Sequence, residues 1–176
     1  MNLHINGQVF TLKKAGDGDM DKVISLLVDA ARWLKTKGTT QWDYYITDLE
    51  GNLDEIIESI TKRSTYLLQE DAKAVATFTL EEDPNEWDMD VWGEDASQND
   101  CVYLHRLVVN REYAGRGIGD ALMEWAKEDV SRRGKKYIRF DCLNNNEGLN
   151  HYYQRQYRLK GVANIYGKHS LYEITL

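Results

Sequence analysis

REYAGRGIGDALMEWA, residues 111–126, sets three alternating glycines, Gly115, Gly117 and Gly119, at the head of a run with helical spacing. Ile118, Ala121, Leu122, Trp125, Ala126 and Val130 fall on one helical face, and Gly134 ends the run. A glycine costs a helix interior about 1 kcal/mol relative to alanine, so three of them at the first turn need a reason. Just upstream, CVYLHRLVV (Cys101–Val109) is the most strongly strand-like run in the chain. Strand, glycine turn and helix in that order make a layout for an anion. The first N–H groups of a helix have no partner within it, the helix dipole adds partial positive charge, and missing Cβ atoms let a phosphate approach the backbone. Arg116 adds a cation nearby. The same glycines also suit a packing turn that needs small residues, and spacing alone does not separate the two readings.

Common nucleotide patterns do not match. The spacing is G-x-G-x-G, not G-x-G-x-x-G, and Asp141 on the following strand comes after too long a helix for a dinucleotide-binding βαβ unit. No G-K-[ST] follows at the distance a P-loop requires.

Outward from this core, Gln8–Lys13 alternates as a strand. Val23, Leu26, Leu27, Ala30, Ala31 and Leu34 then recur at helical spacing behind the capping candidates Asp17, Asp19 and Asp21, and Gly38 stops the run. Leu53, Ile56, Ile57 and Ile60 mark a second, short helix. Thr65–Gln69 and Ala74–Leu80 read as strands joined by a charged turn. Tyr137–Cys142 is a strand, Asn146–Gln156 a helix, and Leu159–Leu176 a hairpin turning near Gly167. The order is strand, two helices, three strands, helix, strand, helix, two strands. That predicts one mixed α/β (α+β) domain over residues 1–176.

Net charge is −7, from 22 basic and 29 acidic side chains. Nine of the acids lie in EEDPNEWDMDVWGEDASQND (Glu81–Asp100), which has no Lys or Arg, leaving 22 basic against 20 acidic elsewhere. The overall sign disfavours nucleic acid. The acidic segment reads either as a solvated loop or as an attractor for a cationic amine. It is not a calcium loop: Trp92 replaces an oxygen ligand and Asn99 stands where the bidentate Glu belongs. No run is long and apolar enough for a membrane span, and the N-terminus lacks signal-peptide character. Cys101 and Cys142 lie in strand-like runs, which fits reduced buried thiols in a cytoplasmic protein and no metal set.

The segment YLHRLVVNREYAGRGIGDALMEWA resembles the acyl-coenzyme A-binding segment of the GNAT superfamily of N-acetyltransferases, [Q/R]-x-x-G-x-[G/A] after an LxxLxV strand. Gly117 and Gly119 take the two small positions, and Ala114 departs from the usual Gln or Arg. NNNEGLNHYYQRQYRLKG resembles the second family signature, with Asn146, Leu149, Tyr152 and Tyr153 matching and Tyr157 and Arg158 departing. The motifs cover roughly Cys101 to Gly161; the N-terminal part matches in pattern only.

The resemblance implies a GNAT fold, with a mixed central sheet of about six to seven strands flanked by about four helices. It implies acetyl-CoA as co-substrate, with no metal, and a small-molecule or peptide amine as acceptor, in a fold whose members often pair as homodimers. The pyrophosphate would lie on the amides of Gly115, Arg116, Gly117, Ile118, Gly119 and Asp120, and Asn146 would also contact the cofactor. The pantetheine arm would run along Leu107, Val108 and Val109, with Val108 the candidate donor to the thioester oxygen at a strand bulge. Tyr153 would serve the leaving sulfur, or be a core aromatic. His105 would be the base, or a histidine packed in the sheet. Trp33, Trp42, Tyr44 and Tyr45 would border the acceptor cleft, or be core and dimer surface. Asp43, Glu81 and the acidic segment are candidates to hold the ammonium. The functions implied are small-molecule N-acetylation by direct transfer, peptide or protein N-acetylation, or a noncatalytic acyl-CoA-binding module.

Overall fold

Asn6 and Gly7 both take positive φ, 49° and 82°, as a two-residue turn between twisted strands requires. In the computed structural model, which describes all 176 residues, this turn joins β1 (Asn2–Ile5) to β2 (Gln8–Lys14). Helices α1 (Met20–Lys35), α2 (Tyr44–Thr47) and α3 (Leu53–Thr61) follow, then the hairpin β3 (Thr65–Glu70) and β4 (Lys73–Glu81). Next come α4 (Glu86–Trp92), β5 (Cys101–Val109), α5 (Ile118–Arg132), β6 (Tyr137–Leu143) and α6 (Glu147–Gln154). The hairpin β7 (Leu159–Asn164) and β8 (Lys168–Thr175) closes the chain.

All strands join one sheet of order β1-β2-β3-β4-β5-β6-β8-β7. Only β5 and β6 are parallel neighbours. Both faces are covered, which is why β3 is buried almost throughout. Tyr66 and Leu68 point into a core built with Ile118, Leu122, Trp125 and Ala126 of α5 and Tyr153 of α6. Leu67, between them, points to the other face, against Val23, Leu27 and Ala31 of α1 and Ile56 and Ile60 of α3.

Eight strands and six helices exceed the six to seven strands and about four helices expected. The added strand is β1, and the added helices are α2 and α4. The acidic segment is thereby corrected from a solvated loop to a helix packed on the sheet. Asn85 caps α4 by accepting from the Asp88 N–H at 2.9 Å, and Asp88 accepts from the Asn85 N–H at 3.1 Å. The segment after α4 is pinned as well: the Tyr103 hydroxyl donates to the Ala96 carbonyl at 2.6 Å. The buried Arg139 donates to the Asp95 carbonyl at 2.6 Å and lies over the Trp92 ring at 4.7 Å.

One irregularity positions everything below. Opposite β5, Thr77 pairs with Val108 and Thr79 with His105, so Arg106 and Leu107 together oppose Phe78 alone. Arg106 takes a φ of 55° at this bulge. On the other side, β5 pairs with β6 only through Cys101–Tyr137, Val102–Ile138 and Tyr103–Arg139. Beyond that point the two parallel strands part.

Candidate active site

The parting of β5 and β6 opens a cavity of about 930 Å³. Leu104 to Leu107 form one wall and Phe140 to Leu143 the other, with α4, Trp42 and Tyr153 closing it. Trp42 enters this wall with a φ of 60°, a conformation a bulky side chain rarely adopts. Gln41 beside it anchors the loop by accepting from the Leu143 N–H at 2.8 Å.

The glycine turn sits at the head of α5. Gly115 and Gly117 take φ values of 75° and 72°, which L side chains resist. Gly119 answers to packing instead: a Cβ there would meet the Tyr152 hydroxyl at 2.9 Å. That hydroxyl donates to Asp120 at 2.5 Å. The N–H groups of Gly115, Gly117, Ile118, Gly119 and Asp120 find no backbone acceptor, and the first helical bond is Ala121 N–H to Gly117 O at 3.0 Å. Arg116 lies over the Tyr113 ring at 4.8 Å, at the surface. Asn6, from the β1–β2 turn, donates to the Arg116 carbonyl at 2.7 Å and braces the turn from outside. The Ile118 side chain is in the core, so only its backbone faces the turn.

Asn146 caps α6, accepting from Leu149 N–H at 3.3 Å, while its buried Nδ2 has no partner within the chain. Tyr153 packs between Phe140 and Tyr172, with ring centroids 4.6 and 5.4 Å away. Burial drives its pKa well above the usual 10, so it stays a neutral donor.

His105 lies under α4. Its Nε2 is 3.1 Å from Asp88 Oδ2 and 3.7 Å from Glu81 Oε2. Burial opposes charge on the ring, but the Asp88 hydrogen bond and the fields of Asp88 and Glu81 outweigh it, and its pKa is raised above 6.5. The ligand atoms of Glu81, Asp88 and His105 lie within 4.8 Å of one another, a spacing that ligands of one metal ion also show. Asp88 Oδ2 is already engaged by both His105 and the Asn85 N–H, so the group stands as a hydrogen-bonded cluster.

A second histidine cluster faces the same cavity. His169 Nδ1 is 2.9 Å from Asp141 Oδ2, and Trp87 Nε1 donates to Asp141 Oδ1 at 3.0 Å. The Trp87 and His169 rings meet edge to face at 4.6 Å. Sequence reading missed this trio. Its members belong to three elements, and only the β6–β8 register, which sets Leu143 opposite His169 and Asp141 opposite Leu171, brings the pair together.

Two expected acceptor residues lie outside the cavity. Trp33 is held under Arg111, 3.8 Å from its ring, and beside Lys37 at 5.6 Å. Asp43 faces Lys35 at 3.6 Å. Trp42, Tyr44 and Tyr45 do line it. Val108 stands in register opposite Thr77, and Val109 opposite Ala76, so the bulge falls at Arg106–Leu107, just before the donor expected at Val108. Leu107 lines the cavity.

Residues 27–157 match the model of the Acetyltransferase (GNAT) family. The chain is 33% identical over 137 residues to the uncharacterized N-acetyltransferase YesJ of Bacillus subtilis, covering 78% of this chain and 74% of that protein. A GNAT-family acetyltransferase structure from Listeria monocytogenes 4b F2365 superposes with a TM-score of 0.81 at 28% identity, covering 100% of both chains. An N-acetyltransferase (PaiA) from Thermoplasma acidophilum, in complex with coenzyme A, superposes with a TM-score of 0.72 at 15% identity, over 95% of this chain and 99% of that one.

Proposed function

The chain belongs to the Acetyltransferase (GNAT) family, and from that premise we propose that it moves an acetyl group from acetyl-CoA to the primary amine of a small molecule, directly, with both bound at once. The observation that carries the reading is the set of amides without a backbone acceptor, Gly115 and Gly117 to Asp120, beside a strand pair that opens into an acid-walled cavity.

The residues present fit coenzyme A. The bare amides would hold the diphosphate, and the unpartnered Nδ2 of Asn146 is a buried donor waiting for an acceptor. β5, freed from β6 beyond Tyr103, offers an unpaired edge along which an extended amide-bearing arm would add as a strand. The thioester supplies the activated acyl carbon. At the bulge, the backbone around Leu107 would donate to its carbonyl oxygen.

Tyr153 would donate a hydrogen bond to the departing sulfur. A free tyrosine is already about 1.5 pKa units less acidic than an alkyl thiol, and burial widens that gap, so outright proton transfer from Tyr153 is disfavoured. An acyl-enzyme route does not suit Cys142: burial pushes its thiol up to about 12, away from the thiolate a nucleophile needs. Glu81, Asp83, Glu86 and Asp141 line the acceptor side against Lys62 and Arg106, which favours a cationic amine.

A thiol-release assay across small amines, polyamines and peptides tests this. Turnover is expected on small amines, with peptides slower. Calorimetric binding of acetyl-CoA with no turnover on any amine would overturn it in favour of a binding module, and peptides outcompeting small amines would move the acceptor class.

A further inference from the structure

Acetyl transfer to an amine needs a group that takes a proton, because an alkyl ammonium near pKa 10.4 is almost fully charged at neutral pH and has no lone pair for attack. Two histidines face the cavity, and their surroundings differ. His105 points Nε2 at Asp88, with Glu81 close behind, and this pair of carboxylates favours the imidazolium. Asp88 only accepts, so Nε2 of His105 carries a proton that is engaged there and offers the cavity no lone pair.

His169 is arranged the other way. Asp141 is a single carboxylate with both oxygens engaged, one by His169 Nδ1 and one by the Trp87 indole. A carboxylate only accepts, so Nδ1 carries a ring proton, and the lone pair of the neutral ring is then the one on Nε2. Nε2 has no partner within the chain, and His169 lines the cavity. Trp87 packs edge-on against the ring and fixes its plane. Around the cavity that His169 faces, β6 presents Asp141 and Cys142, α4 presents Glu86 and Trp87, β5 presents His105 and β4 presents Glu81, while Asp88 of α4 is turned to His105. The β7 residue opposite His169 is Ala163.

Resting on the acetyl-transfer reading above, we propose that His169 is the catalytic base, with Asp141 and Trp87 as positioning residues. The ammonium gives one proton to Nε2. The freed nitrogen lone pair forms the C–N bond as the C–S bond breaks, and that bonding pair leaves on sulfur. The nitrogen's second proton passes to the sulfur, and His169 returns the first to solvent. The products are the amide, the free thiol and one proton, and no oxidant or reductant is involved.

The test is His169→Gln, with Asp141→Asn and Trp87→Phe, assayed by thiol release with the small amines that the wild-type chain acetylates. His169→Gln is expected to lower kcat at pH 7 by about 10² to 10⁴ with the acetyl-CoA KM unchanged. The deficit should shrink as pH climbs toward the amine pKa, where the acceptor deprotonates unaided. Asp141→Asn should show the same pH signature, and Trp87→Phe a smaller loss in kcat. His169→Gln within threefold of wild type, or a deficit constant with pH, would overturn the proposal. A readout independent of turnover is the tautomer of His169 by ¹⁵N NMR of labelled protein. The Nδ1–H form with bare Nε2 is expected at pH 7.5, and an Nε2–H tautomer or a persistent imidazolium would refute the assignment whatever the acceptor. If the wild type acetylates no amine, the acetyl-transfer reading fails, and the NMR result still judges the arrangement.

Discussion

Tyr153 has its ring in the core and its hydroxyl free of partners within the chain, so one substitution separates packing from chemistry. Tyr153→Phe keeps the ring contacts with Phe140 and Tyr172 and deletes the donor. A lost hydrogen bond of about 1–1.5 kcal/mol to the sulfur corresponds to roughly a tenfold fall in kcat, with acetyl-CoA affinity by calorimetry unchanged. Unchanged kcat would leave Tyr153 as core alone. His105 yields a pH prediction. Its folded pKa is raised above the unfolded 6.5, so its charge contributes stability fully below that value and loses it as pH rises through the folded one. The gap in Tm between wild type and His105→Gln should therefore be wider at about pH 6 than at about pH 9. An equal gap would mean that Asp88 and Glu81 do not hold the ring charged. Both of these residues sit in readable sequence runs, Tyr153 in the second signature and His105 in the strand before the glycines. His169 and Asp141 are 28 residues apart, and no local pattern marks either one.

At the scale of elements, α5 was legible because one face carries regularly spaced apolar residues and Gly134 stops it. Most strands were legible because both faces are buried and the runs are apolar. β1 was missed although Asn6–Gly7 is a hairpin signal, because only Leu3 and Ile5 mark its inward side. α4 was missed because its acids dominate the composition, while the informative feature was a capping pair, Asn85 and Asp88, behind Pro84. That cap has a measurable role. Asn85→Ala should cost about 1 kcal/mol in chemical denaturation and also loosen Asp88 from His105. A loss confined to the helix, with the His105 titration unmoved, would show that the cap and the histidine are independent. The glycine turn gives a complementary test. Gly117→Val must place a β-branched residue at a φ of 72° and a Cβ 3.2 Å from Asn6 Nδ2. It should weaken acetyl-CoA binding at least tenfold, and equal affinity by calorimetry would remove the turn from the binding site.

For the whole molecule, two cores hold helices to opposite faces of a sheet that is continuous on one side of β5 and barely joined on the other. Leu67→Ala, in the core away from α5, should cost about 2–5 kcal/mol. At about 2–4 °C per kcal/mol, that lowers Tm by roughly 4–20 °C, and a shift under 2 °C would mean that this core relaxes around the void. The global architecture was readable from element order; the parting of β5 from β6 was not, because how far two strands distant in sequence stay paired leaves no local residue pattern. Along the sheet itself, β5 and β6 share only three rungs. A slender guest lying in the notch would splice them, so donor at a hundredfold excess over its Kd should raise resistance to unfolding by about 2.7 kcal/mol, and amide exchange should slow most along Leu104–Leu107. Architecture and appetite would then be one property: the gap between the two strands is what gives the guest its berth.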